Sequence, residues 1–298
     1  MTIGPPDAAD MLPAACRLLA SMKYRIDDVM EALWRFPEIT AAVLRDPVFR
    51  MIGTSGAVLV PDGIDWLEAV GRSPAIDEDL WLAERSSTGA AEEPLVYAIA
   101  PHWFARLVLP SNADGDADGG RYRQFTATDM ALEEIDPSLV IGGTYQRGWS
   151  RTLSAGELDE VNAKAAAASP GRDTAYVRIG RLPLYVAVEG KNRVRAFRAA
   201  GKAINAFTCT APFPEPEALE LHEIVNSCGA FSGVAVSDTG SGAVRVLALS
   251  SVTAPVLEAY GVRWGRTLPP DAADHRGRPL GAARRAVLED LVRHFMHP

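Results

Sequence analysis

Five residues with phosphate-binding chemistry stand almost in line: Gly190, Lys191, Asn192, Arg193 and Arg195. A glycine lets backbone approach a ligand closely, the N–H groups of a helix's first turn suit an anion, and a guanidinium can grip two phosphate oxygens at once. Glu189 precedes the glycine directly. A carboxylate there has the chemistry of a magnesium ligand or of a general base beside nucleotide phosphates. Each feature also has an ordinary reading. Lys191, Arg195, Arg198 and Lys202 recur at helical spacing and equally describe a solvated basic face. Glu189 equally describes a carboxylate that faces solvent or pairs with Arg193.

The surrounding pattern supplies the elements to position these groups. Leu184, Val186 and Val188 alternate with Tyr185, Ala187 and Glu189 as in a half-buried strand, and the alternation stops at Gly190. A helix is expected from there, with Asn192 as N-cap, Val194 and Phe197 on its apolar face and Gly201 closing it. Tyr176 to Ile179 reads as a second strand joined to the first by a short turn, and Ala203 to Cys209 as a closing strand. Further upstream, Ser154 and Glu157 have capping-box spacing, and Leu158, Val161, Ala165 and Ala168 mark one face of the helix they open. Ser169-Pro170-Gly171 ends that helix.

The run GKNRVRAFRAAG, from Gly190 to Gly201, resembles the GxxRxRA segment of the ParB/sulfiredoxin superfamily. The stretch VIGGTYQRGWSRTLSAGELDEVNAKAAA resembles the same family's opening, where a strand leads through a Gln-Pro-Arg element into a helix. Gln146 and Arg147 occupy the matching place without the intervening proline, and the resemblance covers about Glu133 to Pro212. It implies a nucleotide-binding domain in which Gly190, Lys191 and Asn192 with the following amides hold phosphate. Arg193 and Arg195 would neutralise it, and Gln146 and Arg147 would line the opposite side. Glu189, where many relatives carry Asp, would handle a metal or a proton.

The family's branches are partly separable. Sulfiredoxin chemistry needs a cysteine inside the phosphate loop, where this chain has Lys191 and Asn192. The partition proteins carry a helix-turn-helix and an ENxxQR motif after the nucleotide domain, and neither is found after Pro212. The expected sequel is instead a Pro-rich stretch, a helix around Glu217 to Val225, a hairpin-like strand pair around Asp238 to Gly242, and an amphipathic helix from about Leu280 to Phe295.

Composition sets the outer limits. The chain has 298 residues, 48% of them hydrophobic and 23% charged, enough for a large core and about two domains. A formal charge of −8 and a pI near 5.2 suit a nucleotide ligand better than duplex DNA. Three cysteines, Cys16, Cys209 and Cys228, lack CxxC spacing, so neither a disulfide framework nor a zinc site is expected, and Cys209 reads as a small core residue. No basic leader or membrane-length apolar run is visible, which points to the cytoplasm.

The first 130 residues carry core signals and no recognised family. Ile26, Val29, Met30, Leu33 and Trp34 form a helical stripe bounded by Pro37, and a short helix is expected from Glu38 to Leu44. Strands are expected at Gly53 to Val60 and Leu95 to Ile99, and helices around Ile64 to Val70 and Ile76 to Glu84. Asp114, Asp116 and Asp118 imitate a calcium loop, but Arg121 and Phe125 fill the positions that need an apolar residue and Glu, so a flexible acidic linker is the better reading. His102, His222, His275, His294 and His297 are too scattered to suggest a metal site or a triad.

The expectation is an α+β protein in three parts. Residues 1–130 form a mixed N-terminal region, 131–212 a ParB/sulfiredoxin-like domain with a small mixed sheet and flanking helices, and 213–298 an α+β extension. Its expected function is that of a nucleotide-dependent hydrolase or phosphotransferase, taking a nucleoside di- or triphosphate with magnesium, passing phosphate to water or a small acceptor, and able to form a homodimer. The alternatives are a DNA-associated or regulatory protein that uses nucleotide as a switch, and a ParB-like nuclease.

Overall fold

The computed structural model describes residues 8–35, 101–110, 130–143, 153–225, 228–247, 249–269, 271–280 and 283. Within them the chain is α+β, with two mixed sheets and a few helices. The first sheet comes from β1 (Ala131–Ile135), β2 (Val140–Ile141), β3 (Ala175–Ile179), β4 (Tyr185–Glu189) and β5 (Ile204–Ala211), in the order β1-β5-β3-β4-β2. Outer pair β1–β5 and inner pair β3–β4 run antiparallel, whereas β3–β5 and β2–β4 run parallel. A parallel pair needs a crossover, and α4 (Arg193–Ala200) lies within the connection from β4 to β5.

Central position explains the composition of β3. It has partners on both edges, and Ala175, Tyr176, Val177 and Ile179 are all buried, an apolar run with residues pointing to both faces. One face meets α3 (Ala155–Ala167) and α4 in a core built from Leu158, Tyr176, Ala187, Val194, Phe197, Ile204 and Ala206. The capping box of α3 forms as its spacing requires: the Glu157 amide donates to Ser154 Oγ at 3.3 Å, and the Ser154 amide donates to Glu157 Oε2 at 2.8 Å. At the far end of α4, Gly201 adopts φ +60, and its amide and that of Lys202 satisfy carbonyls of the last turn.

The second sheet contains β6 (Leu219–Val225), β7 (Phe231–Asp238), β8 (Val244–Val246) and β9 (Arg263–Trp264), ordered β8-β7-β6-β9. The expected helix over Glu217 to Val225 is corrected here: a 3-10 turn at Pro216–Ala218 leads into strand β6. The expected strand pair around Asp238 to Gly242 is present as the β7–β8 hairpin, with Asp238 Oδ1 accepting from the amides of Gly240 and Ser241 in the turn. Leu219, Leu221, Val234 and Val236 pack with Ala254 and Leu257 of α5 (Ser250–Tyr260).

Two helices complete the described structure. The short α2 (Pro101–Val108) packs along β4 and β2. The long α1 (Ala8–Arg35) accommodates Pro13 near its start, and it starts well before the Ile26 to Trp34 stripe from which a helix was expected. It packs against α5 on one side and against β2 and the 3-10 turn Pro137–Leu139 on the other, so it touches both sheet units. The elements expected between Glu38 and Ile99, the acidic run at Asp114 to Asp118, and most of the final helix from Leu280 to Phe295 lie outside the described residues. Among the described residues no helix is long and apolar enough to cross a membrane.

Candidate functional site

Strand β4 ends at Glu189, whose side chain is exposed, and the chain then turns sharply into α4. Gly190 makes that turn possible with φ +70. It also lies against the residue just before β3: a Cβ built on it would stand 3.1 Å from Thr174 Cγ2 and 3.3 Å from Thr174 Cα, so the site has two reasons to exclude a side chain. The Gly190 carbonyl accepts from the Arg193 amide at 3.0 Å, closing the turn that starts the helix. Asn192 holds the N-cap position as expected but has helical backbone angles and makes no side-chain cap bond. The first turn of α4 therefore lacks the side-chain acceptor that an N-cap usually supplies.

Arg193 does not pair with Glu189. Its Nη1 forms an ion pair with Asp173 and donates to Thr174 Oγ1 at 2.8 Å, while Thr174 Oγ1 donates to Asp173 Oδ1 at 2.9 Å. Thr174 is wholly buried, and the Arg193 and Asp173 side chains are 20% and 8% exposed. Burial lowers the pKa of the guanidinium from its ordinary value, yet an arginine remains charged in this range. The triangle fixes one edge of the Arg193 fork against the protein and so orients its plane. Nothing in the sequence marked Asp173 or Thr174, because they belong to the loop before β3, twenty residues away in the chain.

The basic row along α4 and just past its end divides. The Arg198 guanidinium stacks 4.5 Å above the Tyr24 ring and donates to the Ser138 carbonyl at 3.2 Å. Lys202 pairs with Asp159 of α3. These two cations join elements together, which neither a solvated basic face nor a phosphate stripe requires. Lys191 and Arg195 stand half-buried at the start of the helix, beside Gly190 and Arg193.

A pair of glycines, Gly142 and Gly143, closes on this loop from the end of β2. The Gly143 amide donates to the Lys191 carbonyl at 2.8 Å, and a Cβ on Gly142 would come within 2.8 Å of Val194 Cγ2 and 3.1 Å of the Lys191 carbonyl. The backbone leading toward Gln146 and Arg147 thus starts at the Lys191 loop; Gln146 and Arg147 themselves lie outside the described residues. Helix α1 reaches the same junction, where Lys23 Nζ donates to the Gly143 carbonyl at 3.0 Å and Tyr24 Oη to the Val140 carbonyl at 3.2 Å. Lys23 and Tyr24 were not marked by any motif, since they belong to a helix whose packing partner could not be read from periodicity.

Among the described residues, no three His, Cys, Asp or Glu side chains gather into a cluster able to hold a metal ion. His222 is buried between β6, β7 and the chain after β9, with Nδ1 2.8 Å from the Arg266 carbonyl and Nε2 2.8 Å from Ser237 Oγ, a satisfied core histidine. Cys209, expected in the core, is only half-buried on β5, and Cys16, Cys209 and Cys228 are all free thiols. Comparison with protein-family models, with curated proteins and with solved structures finds no match to this chain.

Proposed function

We propose that the loop between β4 and α4 binds the phosphates of a nucleoside di- or triphosphate, and that the protein is a nucleotide-dependent hydrolase or phosphotransferase of the ParB/sulfiredoxin type. The observation that carries this reading is the convergence at Lys191. A positive-φ glycine, the first turn of α4, an oriented arginine and the Gly142–Gly143 backbone meet within one loop. In this reading Gly190 and the amides that follow receive phosphate oxygens, with Lys191 and Asn192 at the rim. Arg193, held from behind by Asp173, presents its remaining N–H groups, and Arg195 adds a second cation. The resemblance assigns the opposite side to Gln146 and Arg147, which lie outside the described residues.

Glu189 stands at the strand end immediately before the loop and takes the metal or proton role. Magnesium is commonly bound by one or two carboxylates together with substrate phosphates and water, so an exposed single carboxylate fits that ion. Bound there, magnesium would neutralise charge on the phosphates; the protein's part is to position the phosphate chain and a water molecule or a small acceptor hydroxyl in line with it.

Calorimetric titration with CTP, ATP and ADP, each with and without magnesium, tests the proposal. Arg193→Ala is expected to abolish binding. Because that variant also strips Asp173 of its partner, Lys191→Ala and Arg195→Ala are the companion variants, each expected to weaken binding about tenfold, the value of one charge-assisted contact. Glu189→Gln should keep binding and lose turnover. Wild-type protein that binds none of the three nucleotides would reject the reading, and intact turnover in Glu189→Gln would remove Glu189 from it.

A further inference from the structure

We infer that α1 is a working part of the phosphate site, with Lys23 as the positioning residue that couples the seating of α1 to the Gly190–Arg193 loop, so that nucleotide binding and α1 docking are linked. The linkage to nucleotide rests on the function proposed above; the coupling of α1 to the loop does not.

The coupling is carried by both polar groups of one residue. Gly143 accepts from the Lys23 ammonium through its carbonyl at 3.0 Å and donates from its amide to the Lys191 carbonyl at 2.8 Å. Lys23 has no exposed surface. A buried ammonium is costly to desolvate and holds its hydrogen-bond geometry firmly, since any displacement weakens the bond while the desolvation cost remains. One residue earlier, Gly142 is the point of closest approach: a Cβ there would stand 2.8 Å from Tyr24 Oη of α1, 2.8 Å from Val194 of α4 and 3.1 Å from the Lys191 carbonyl. Gly142 has no side chain to hold α1 and the loop apart at this place. Tyr24 adds two further ties, its hydroxyl to the Val140 carbonyl and its ring to the guanidinium of Arg198 on α4. A ligand that draws the Lys191 loop toward itself therefore acts on α1 through Gly143, and by reciprocity a well-seated α1 raises affinity for that ligand.

The test uses the full chain and two readouts. Hydrogen exchange without ligand is compared between wild type and Lys23→Met, which keeps an unbranched stem of the same four atoms' length and removes the ammonium. Exchange at the Gly143 amide and across 190–193 should accelerate about tenfold or more, as loss of a charged hydrogen bond implies. Calorimetry with magnesium and CTP, ATP or ADP should then show affinity reduced by a similar factor. Wild-type α1 amides should gain protection when nucleotide is added. Arg17→Ala removes only an exposed contact of α1 with Asp136 and Ser138 and leaves the Lys23–Gly143 bond in place, so it should reduce affinity far less than Lys23→Met.

Tyr24→Phe, a milder change, serves if Lys23→Met fails to fold; it should give a smaller change in the same direction. Unaltered exchange at Gly143 in Lys23→Met would overturn the coupling, as would equal losses of affinity in Lys23→Met and Arg17→Ala. Absence of nucleotide binding in wild type would reject the nucleotide linkage together with the proposed function, and the exchange data would still decide the coupling.

Discussion

Removing the Asp173 carboxylate would leave the Arg193 guanidinium half-buried beside Thr174 without its counter-ion. A fully buried pair loses about 3–5 kcal/mol when one partner is deleted, and the 20% exposure of Arg193 lets solvent recover part of that. Asp173→Ala should therefore cost about 1–3 kcal/mol in chemical denaturation, and it should also weaken nucleotide binding because the Arg193 fork is no longer held. Tyr176 makes the opposite case. Its hydroxyl is wholly buried and has no hydrogen-bond partner among the described residues, while burial and then the neighbouring Tyr24 push its pKa well up and keep it protonated. Tyr176→Phe removes a polar atom that contributes no bond, so thermal denaturation should show equal or higher stability, by up to about 1 kcal/mol. A loss larger than that would reveal a partner for the hydroxyl. Neither residue announces itself in sequence: Asp173 acts across a loop, and Tyr176 reads as one more apolar strand residue.

Local signals were readable wherever the local chain decides the outcome. The Ser154/Glu157 spacing, the Gly201 stop, the β3–β4 pair and the β7–β8 hairpin each depend on a few neighbouring residues, and each is present. Ser154→Ala should thus cost about 1 kcal/mol of stability, measured by urea denaturation, through loss of the cap on α3. Strand β6 shows where local reading ends. EALELHEIV is rich in helix formers, yet Leu219, Leu221, His222 and Ile224 are all buried because β7 pairs with one edge of the strand, β9 with the other, and apolar clusters cover both faces. Tertiary packing on both faces overrides propensity there. The N-terminal helix was visible only as the stripe from Ile26 to Trp34; Pro13 and the small residues before it disguised the rest. For the same reason the loop of the site could be drawn from Gly190 to Arg195, while its back wall, Asp173, Thr174 and Lys23, could not.

At the scale of the molecule, charge weighs against duplex DNA as a partner. Duplex DNA carries one negative charge per about 1.7 Å of axis and binds proteins that offer many surplus cations. This chain has a formal charge of −8, and Arg193 and Arg198 of α4, with Lys202 just beyond its end, are already engaged with neighbouring elements. Gel-shift assays at about 0.15 M salt should show no retardation of duplex DNA. A salt-sensitive shift would favour the DNA-associated alternative.

The path of α1 has a consequence for the order of assembly. Its seat is made of β2 at Val140–Ile141 and α5 at Ser250–Tyr260, while β1 finds its partner β5 only some seventy residues later, as in the pairing of Ala131 with Thr208. Contacts so distant in sequence close slowly and late, since loop entropy is lost before the contacts form. During synthesis α1 must wait through more than two hundred residues for the second half of its cradle, exposing Leu19, Met22 and other residues that the finished fold buries. A nascent chain of this design is most vulnerable to aggregation in that interval, and chaperone dependence should concentrate on its N-terminal helix.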